Sequence, residues 1–185
     1  MESIANLTLE VPSMMANRGH CIALVALILC WALPGTAEAG GPRRCFGRRA
    51  SIVGTSGPDQ LIGTPEDDVI VARGGADVIR GRGGGDDICA GPGADRVFGG
   101  GGADLAKSNR GNDRIFGQGR RDFLFGGRGN DHIFGLGLRD FLDGGPGSNT
   151  NDGGDGIDRC QEPAPGEPGA TNCEKAGSAI KAHAI

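Results

Sequence analysis

The sequence is poor in the side chains that usually carry catalysis. It has no tyrosine, one tryptophan and three histidines among 185 residues. Histidine is the most frequent general acid or base in enzymes, and removal of an N-terminal leader would leave only His132 and His183. The serines lie outside nucleophile motifs such as G-x-S-x-G. We therefore expect no enzymatic activity.

An excess of positive charge is also lacking. The chain has 19 basic and 23 acidic residues, for a net charge of −4, and its arginines are scattered along the sequence. Domains that bind nucleic acid are usually basic, with lysine and arginine clustered on one face. Nucleic acid is therefore not an expected partner.

The sequence has no apolar run of the about 20 residues that a membrane-spanning helix needs. Its main apolar run, Cys21 to Leu33, is followed by Ala37-Glu38-Ala39, which has the small-x-small form of a cleavage site. We interpret residues 1–39 as a signal peptide, with translation starting at Met14 or Met15. A retained anchor and a lipoprotein at Cys30 are the alternatives. The expected product is secreted and extracellular, with no stable membrane anchor after cleavage.

What the chain has in abundance is glycine, 37 residues, without the G-X-Y period of collagen. Residues 54–161 divide into twelve consecutive blocks of nine. Glycine opens nine blocks, and an aliphatic residue takes the eighth place of ten. The sixth place is Asn149 in one block and aspartate in the others: Asp59, Asp68, Asp77, Asp86, Asp95, Asp104, Asp113, Asp122, Asp131, Asp140 and Asp158. A period this regular predicts a solenoid.

Blocks such as Gly126 to Phe134 (GGRGNDHIF) and Ala90 to Phe98 (AGPGADRVF) carry a resemblance to a known family. They resemble G-G-x-G-x-D-x-U-x, the nonapeptide of RTX (repeats-in-toxin) calcium-binding proteins. The resemblance implies an all-β fold, a right-handed parallel β-roll of about six 18-residue coils. It also implies several Ca²⁺ ions, each held between neighbouring coils by the sixth-place aspartates and turn carbonyls.

The residues themselves support this reading. Glycines at places one and four permit positive φ in a tight turn, and places seven to nine form a short strand with the eighth side chain inward. Two blocks complete a coil, which sorts the aspartates into an odd row (Asp59 to Asp131) and an even row (Asp68 to Asp158). Stacked carboxylates repel unless cations separate them, and Ca²⁺ prefers such oxygen ligands. The alternative is that each aspartate only makes a local turn.

Four cysteines remain after the leader, and an even number in an exported protein favours disulfides. Three pairings are open, of which we favour Cys45–Cys89 and Cys160–Cys173, one at each end of the repeats. Residues 40–53 are predicted to form a capping half-coil with Ile52 inward. Residues 54–161 form the roll, and residues 162–185 form a C-terminal loop and cap.

Two departures from the repeat suggest local differences. In the even row, Arg121 and Arg139 stand beside Asp122 and Asp140, so each arginine either replaces a cation or points into solvent. In the odd blocks, Phe98, Phe116 and Phe134 fall one coil apart at an outward place. They form either a packing ladder or a contact surface for a partner or for self-association.

The predicted function is that of a secreted calcium-binding β-roll that folds when calcium binds. A calcium-dependent interaction or adhesion module is one alternative. A remnant of a longer RTX enzyme is the other, although the 14 residues before the repeats and the 24 after them leave no room for a catalytic domain.

Overall fold

A computed structural model describes residues 44–161 and 168–173, and every regular element in these residues is a β-strand. Predictions for the leader and for most of the C-terminal segment therefore lie outside the described residues. No helix in the described ranges is long and apolar enough to cross a membrane.

Two parallel sheets of seven strands form the solenoid. Sheet I contains β4 (Gln60–Ile62), β6 (Val78–Gly83), β8 (Arg96–Gly101), β10 (Arg114–Gln118), β12 (His132–Leu138), β14 (Thr150–Gly156) and β16 (Ala170–Thr171). Sheet II contains β3 (Ile52–Val53), β5 (Val69–Val71), β7 (Asp87–Pro92), β9 (Leu105–Arg110), β11 (Phe123–Arg128), β13 (Phe141–Asp143) and β15 (Arg159–Gln161). Successive strands alternate between the sheets, as two nine-residue blocks per coil require.

The register confirms the 18-residue coil. Ile115 of β10 pairs with Val97 on one side and with Ile133 on the other. Side chains alternate across a strand, so each eighth-place residue points between the sheets. These aliphatic residues form one continuous core, and nine of them are fully buried: Ile70, Ile79, Ile88, Val97, Ala106, Ile115, Leu124, Ile133 and Leu142.

The turns differ from the prediction in one respect. Positive φ occurs at the second and fourth places of the blocks, as at Gly91 (112°) and Gly93 (154°), and not at the first-place glycines. The second place keeps this conformation even without glycine, at Arg73 (81°), Asn109 (79°) and Gln118 (80°). The prediction for place four is confirmed and that for place one is wrong. Place one requires glycine or another small residue because a larger side chain would collide with neighbouring atoms.

The N-terminal cap is only partly a half-coil. Ile52 packs against the core as predicted, in β3 of sheet II. The residues before it instead form an antiparallel hairpin of β1 (Arg44–Cys45) and β2 (Arg48–Arg49). A disulfide joins Cys45 to Cys89 on β7, and buried Cys45 packs with Val69 and Val71 in a second small core. The hairpin therefore lies on the outer face of sheet II.

The C-terminal end contains a strand, β16 (Ala170–Thr171), within the segment predicted to be a loop and cap. Strand β16 pairs with β14 and extends sheet I by one strand. The second predicted disulfide, Cys160–Cys173, ties this strand to β15. Asn151 takes an inward place and is fully buried there, where its amide donates to the carbonyl of Gln161 at 3.0 Å. A disulfide therefore lies near each end of the roll.

Candidate metal centre

The aspartates form two columns, one along each edge of the roll, in the rows that the sequence predicts. Within a column, Oδ1 of each aspartate from Asp77 and Asp86 onward accepts a hydrogen bond from the backbone N–H of the aspartate one coil earlier. Asp113 accepts from Asp95 at 2.8 Å in the odd row, and Asp122 accepts from Asp104 at 2.8 Å in the even row. Asn149 continues the odd column by accepting from Asp131 at 2.9 Å. One carboxylate oxygen per coil thus fixes the stacking of the turns.

The other carboxylate oxygen, Oδ2, points into the roll and has no hydrogen-bond partner in most coils. These side chains are almost completely buried, at 2% exposure or less. Burying a polar atom without a partner costs about 1–3 kcal/mol, and more when the atom is charged. The aspartates with such an oxygen are Asp77, Asp86, Asp95, Asp104, Asp113, Asp122, Asp131 and Asp140.

Burial raises the pKa values of these carboxyl groups. For Asp113 burial is the largest cause, the backbone N–H bond lowers the pKa, and the neighbouring charges of Asp131 and Asp95 raise it, to about 7 overall. The pKa values of Asp86 and Asp122 are also raised to about 7, mainly by burial. Without a counter-ion, the columns are therefore poorly suited to carry full negative charge at neutral pH.

First-place glycine makes room for this inward carboxylate. A Cβ added to Gly99 would collide with Oδ2 of Asp104, and one added to Gly117 would collide with Oδ2 of Asp122. Three odd blocks carry a small side chain at this place instead, and Ala72, Ala90 and Ser108 are all fully buried. The first place therefore selects for small size rather than for positive φ.

The first coil differs because threonine satisfies its carboxylates. Oδ2 of Asp59 accepts from the backbone N–H of Thr55 at 2.6 Å and from its hydroxyl at 3.1 Å. Oδ2 of Asp68 accepts from the N–H and hydroxyl of Thr64 at 2.7 and 2.9 Å. Although burial opposes the shift, these bonds and one from Ser51 lower the pKa of Asp68. Asp59 and Asp68 thus lie in the predicted rows with their Oδ2 atoms already engaged.

The remaining oxygen donors for a cation would be backbone carbonyls. Within the described ranges, no three His, Cys, Asp or Glu side chains converge on one point. The turns do stack closely enough that a Cβ on Gly111 would overlap the carbonyl of Gly93, and one on Gly93 would overlap that of Gly75. Column carboxylates and turn carbonyls are hard oxygen ligands of the kind that Ca²⁺ prefers, and Ca²⁺ takes six to eight of them. The donor set therefore fits calcium.

The predicted replacement of cations by Arg121 and Arg139 finds no support in the contacts. Both side chains are exposed, and the one recorded ion pair among the described residues joins Arg48 to Asp87. The irregularity lies in the backbone instead. Arg120, like Glu66 in the first coil, lacks the positive φ of the remaining fourth places in its row (Gly84, Gly102, Leu138 and Gly156). Its N–H donates to the carbonyl of Gly102 at 2.8 Å. Loss of the fourth-place glycine alone does not predict this change, because Leu138 keeps positive φ (67°).

Comparison with protein families agrees with the geometry. The sequence profile described as the RTX calcium-binding nonapeptide repeat (4 copies) matches residues 53–89, 90–124, 108–142 and 116–150. Searches of curated proteins and of solved structures returned no match. The matched segments together extend from residue 53 to residue 150, which is more than half of the 185-residue chain.

Proposed function

Since the chain belongs to the RTX calcium-binding nonapeptide repeat family, we propose that it is a secreted protein that folds on binding calcium between its coils. This family is a repeat β-roll and not a catalytic fold. The observation that carries the proposal is the presence of buried, unpartnered Oδ2 atoms in eight aspartates, four in each column. A divalent cation would supply the positive charge and the coordination that these oxygens otherwise lack.

The ligands would be the aspartates of the middle coils together with turn carbonyls. Asp59 and Asp68 would contribute least, because Thr55 and Thr64 already donate to them. In the even row, the hydrogen bond from Arg120 engages the carbonyl of Gly102. We therefore expect fewer ions near Asp104 and Asp122 than at the corresponding turns of the odd row.

Folding should depend on calcium because apolar burial is small. Each block contributes one core aliphatic residue, whereas ordering each residue costs about 1–2 kcal/mol of backbone entropy. Where the binding site exists only in the folded state, the free energy of metal binding becomes free energy of folding. The affinity expected of extracellular calcium modules is roughly 10⁻⁴–10⁻³ M.

Calcium titration followed by far-ultraviolet circular dichroism tests this coupling. The protein, with its disulfides intact, is first freed of calcium by a chelator, and β-structure should appear as calcium is added. Magnesium serves as the control ion, since it demands near-octahedral geometry and gives up water reluctantly. Identical spectra with and without calcium would contradict the proposal.

Secretion is supported by the two disulfides, Cys45–Cys89 and Cys160–Cys173, which are typical of oxidising compartments. The proposed leader, residues 1–39, lies outside the described residues. We expect mature protein recovered from the culture medium to begin at Gly40. Edman sequencing checks this, and medium protein that still carries Met1 or Met14 would contradict cleavage.

A second candidate function, an interaction module, is favoured by the aromatic ladder. Phe98, Phe116 and Phe134 stack on sheet I with ring centroids 5.0 Å apart and planes inclined by 7°. The exposed side chains of Arg96 and Arg114 occupy neighbouring outward places. Two copies meeting through this face would bring like charges together, so an anionic partner fits better than self-association.

Sedimentation velocity in calcium separates a contact surface from simple packing. Substitution Phe116→Ser should abolish any calcium-dependent association that uses sheet I. Phe123→Ser is the matched control, because Phe123 lies on the outer face of sheet II and is 43% exposed. If the wild-type protein stays monomeric and both variants only lose stability, the ladder is not a surface for self-association.

A further inference from the structure

A cavity lies outside the roll, where the N-terminal hairpin meets sheet II. Its volume is about 620 Å³, and Arg44 and Phe46 of the hairpin form one wall. Val71, Cys89 and Lys107 contribute from successive strands, and Arg73 contributes from the adjoining turn. Binding sites for small molecules have volumes of about 300–1,000 Å³, so the cavity has the size of a ligand site.

The hairpin wall is held firmly in place. The Cys45–Cys89 disulfide fastens β1 to the middle of β7, and Arg48 of β2 forms an ion pair with Asp87 at 3.1 Å. Buried Cys45 also packs against Val69 and Val71. The cavity therefore does not depend on a freely moving loop, and it forms only when sheet II is folded.

The charge of the lining is of one sign. Arg44, Arg73 and Lys107 all border the cavity, and its lining contains no acidic side chain among the described residues. Asp87, on the same strand as Cys89, is engaged by Arg48. The cluster is therefore not neutralised by a carboxylate within the cavity.

Arg73 supplies an independent sign of a missing partner. Its Nε atom is buried and has no hydrogen-bond acceptor among the described residues. A buried N–H donor without an acceptor is destabilising, and more so when it is charged. An anionic oxygen at this point would satisfy the donor, and charge-assisted bonds from arginine are roughly twice as strong as neutral ones.

We propose that this cavity binds a small organic anion that has an apolar body. The acidic group would lie among Arg44, Arg73 and Lys107, and the body would lie against Phe46, Val71 and the disulfide. An apolar lining with a few convergent polar groups is the usual composition of a ligand site. This function is separate from calcium binding, although it requires the folded roll.

Isothermal titration calorimetry with octane-1-sulfonate tests the proposal, because sulfonates remain soluble in the presence of calcium. The protein is held in saturating calcium, its β-structure is checked by circular dichroism, and the probe is kept below its micelle concentration. We expect saturable binding of one probe per chain. Inorganic sulfate, which lacks the apolar body, and octan-1-ol, which lacks the charge, should each bind at least about tenfold more weakly.

Two variants place the binding in the cavity. Loss of a charged hydrogen bond, worth about 1.5–3 kcal/mol, predicts that Arg73→Gln weakens binding by about tenfold or more. Lys107→Gln should also weaken it. Glutamine is compatible with the backbone at residue 73, since Gln118 adopts nearly the same φ, 80° against 81°. Arg159→Gln, at an exposed place on β15 of the same sheet, is the charge-matched control.

The outcomes distinguish failure of the site from failure of calcium-dependent folding. If the protein does not fold with calcium, circular dichroism shows this before any probe is added. If the folded protein shows no saturable binding, or if all three variants bind like the wild type, the cavity proposal is wrong. Sulfate binding as tightly as octane-1-sulfonate would overturn the apolar half of the proposed ligand.

Discussion

Replacing one column aspartate by asparagine should have opposite effects with and without calcium. In Asp113→Asn, the side-chain oxygen can still accept from the N–H of Asp95, as Asp113 does at 2.8 Å. Asn149 shows that this arrangement is allowed, because it accepts from Asp131 and its amide donates to the carbonyl of Gly145 at 2.6 Å. The substitution therefore removes a buried charge and keeps the column intact.

The magnitude follows from the pKa of Asp113. It is raised from 3.8 to about 7 by burial and by the neighbouring carboxylates Asp131 and Asp95. A folded-state pKa above the unfolded one means that the folded protein binds more protons between these pH values, so its stability falls as pH rises through this window. The difference corresponds to about 4 kcal/mol at pH 8, as an upper estimate for one residue. Asparagine avoids this penalty at pH 8.

The assay is an acid titration of protein passed over a calcium-removing resin, followed by circular dichroism from pH 8 to pH 4. We expect wild-type β-structure to increase as pH falls below about 7, because protonation neutralises buried carboxyl groups such as that of Asp113. Asp113→Asn should gain β-structure at a higher pH than wild type. In calcium at pH 8 the order should reverse, since the variant has lost a charged ligand.

Asp155→Asn is the control, because Asp155 is exposed and lies outside both columns. It should follow the wild-type curve in both conditions. The reasoning is refuted if the calcium-free wild type loses β-structure on acidification. It is also refuted if Asp113→Asn is less structured than wild type at pH 8 without calcium.

Two further substitutions test the packing of the roll in saturating calcium. Gly117→Ala places a methyl group against the carboxylate of Asp122 and should lower the free energy of unfolding in urea by about 1–3 kcal/mol. Ala90→Gly should lower the same free energy by no more than about 1 kcal/mol. Equal losses in the two variants would contradict the steric role of place one. Replacing both Cys45 and Cys89 by serine opens a link across 44 residues and should reduce stability by about 4 kcal/mol. If this double variant unfolds at the same midpoint temperature as the wild type, fastening the hairpin to sheet II does not stabilise the roll.

The parts of the fold that depend on repetition were predictable from the sequence. An inward place that recurs every nine residues stacks Val97, Ile115 and Ile133 in one register. The same period sorts the aspartates into two columns, because every coil sets the same constraint. The disulfides were predictable only in part, since three pairings were open and position near the ends of the repeats favoured the observed one.

The role of each glycine was harder to predict, because glycine can be required either for its small size or for positive φ. Places one and two are both glycine in four blocks, yet of these two places only place two has positive φ. The exceptions carry the signal: place one is otherwise small, as in Ala72 and Ser108, whereas place two accepts the long side chains of Arg73 and Gln118. The size limit at place one indicates that another atom lies close by, and that atom belongs to the aspartate carboxylate. The tolerance of large residues at place two indicates that its side chain extends into open space at the turn.

Features at the ends escaped prediction because they do not repeat. The nine-residue period does not indicate that residues 44–49 fold back as a hairpin. It also does not indicate that Ala170 and Thr171 add a strand to sheet I. The cavity lies between the N-terminal hairpin and the repeats, because hairpin residues meet outward side chains of sheet II. Val71, Cys89 and Lys107 of its lining take the ninth place, where the repeat sets no residue type. The nonapeptide pattern therefore does not mark the cavity.

The two coils at the start of the columns show how one fold can satisfy the same carboxylate in two ways. In the first coil, Thr55 and Thr64 donate directly to the Oδ2 atoms of Asp59 and Asp68. In the second coil, Asp77 and Asp86 have no such donor, and burial raises the pKa values of both. We therefore expect a coil with threonine at place two to fold without an ion. Coils without this threonine would need protons or cations, which would confine calcium dependence to the interior of the array.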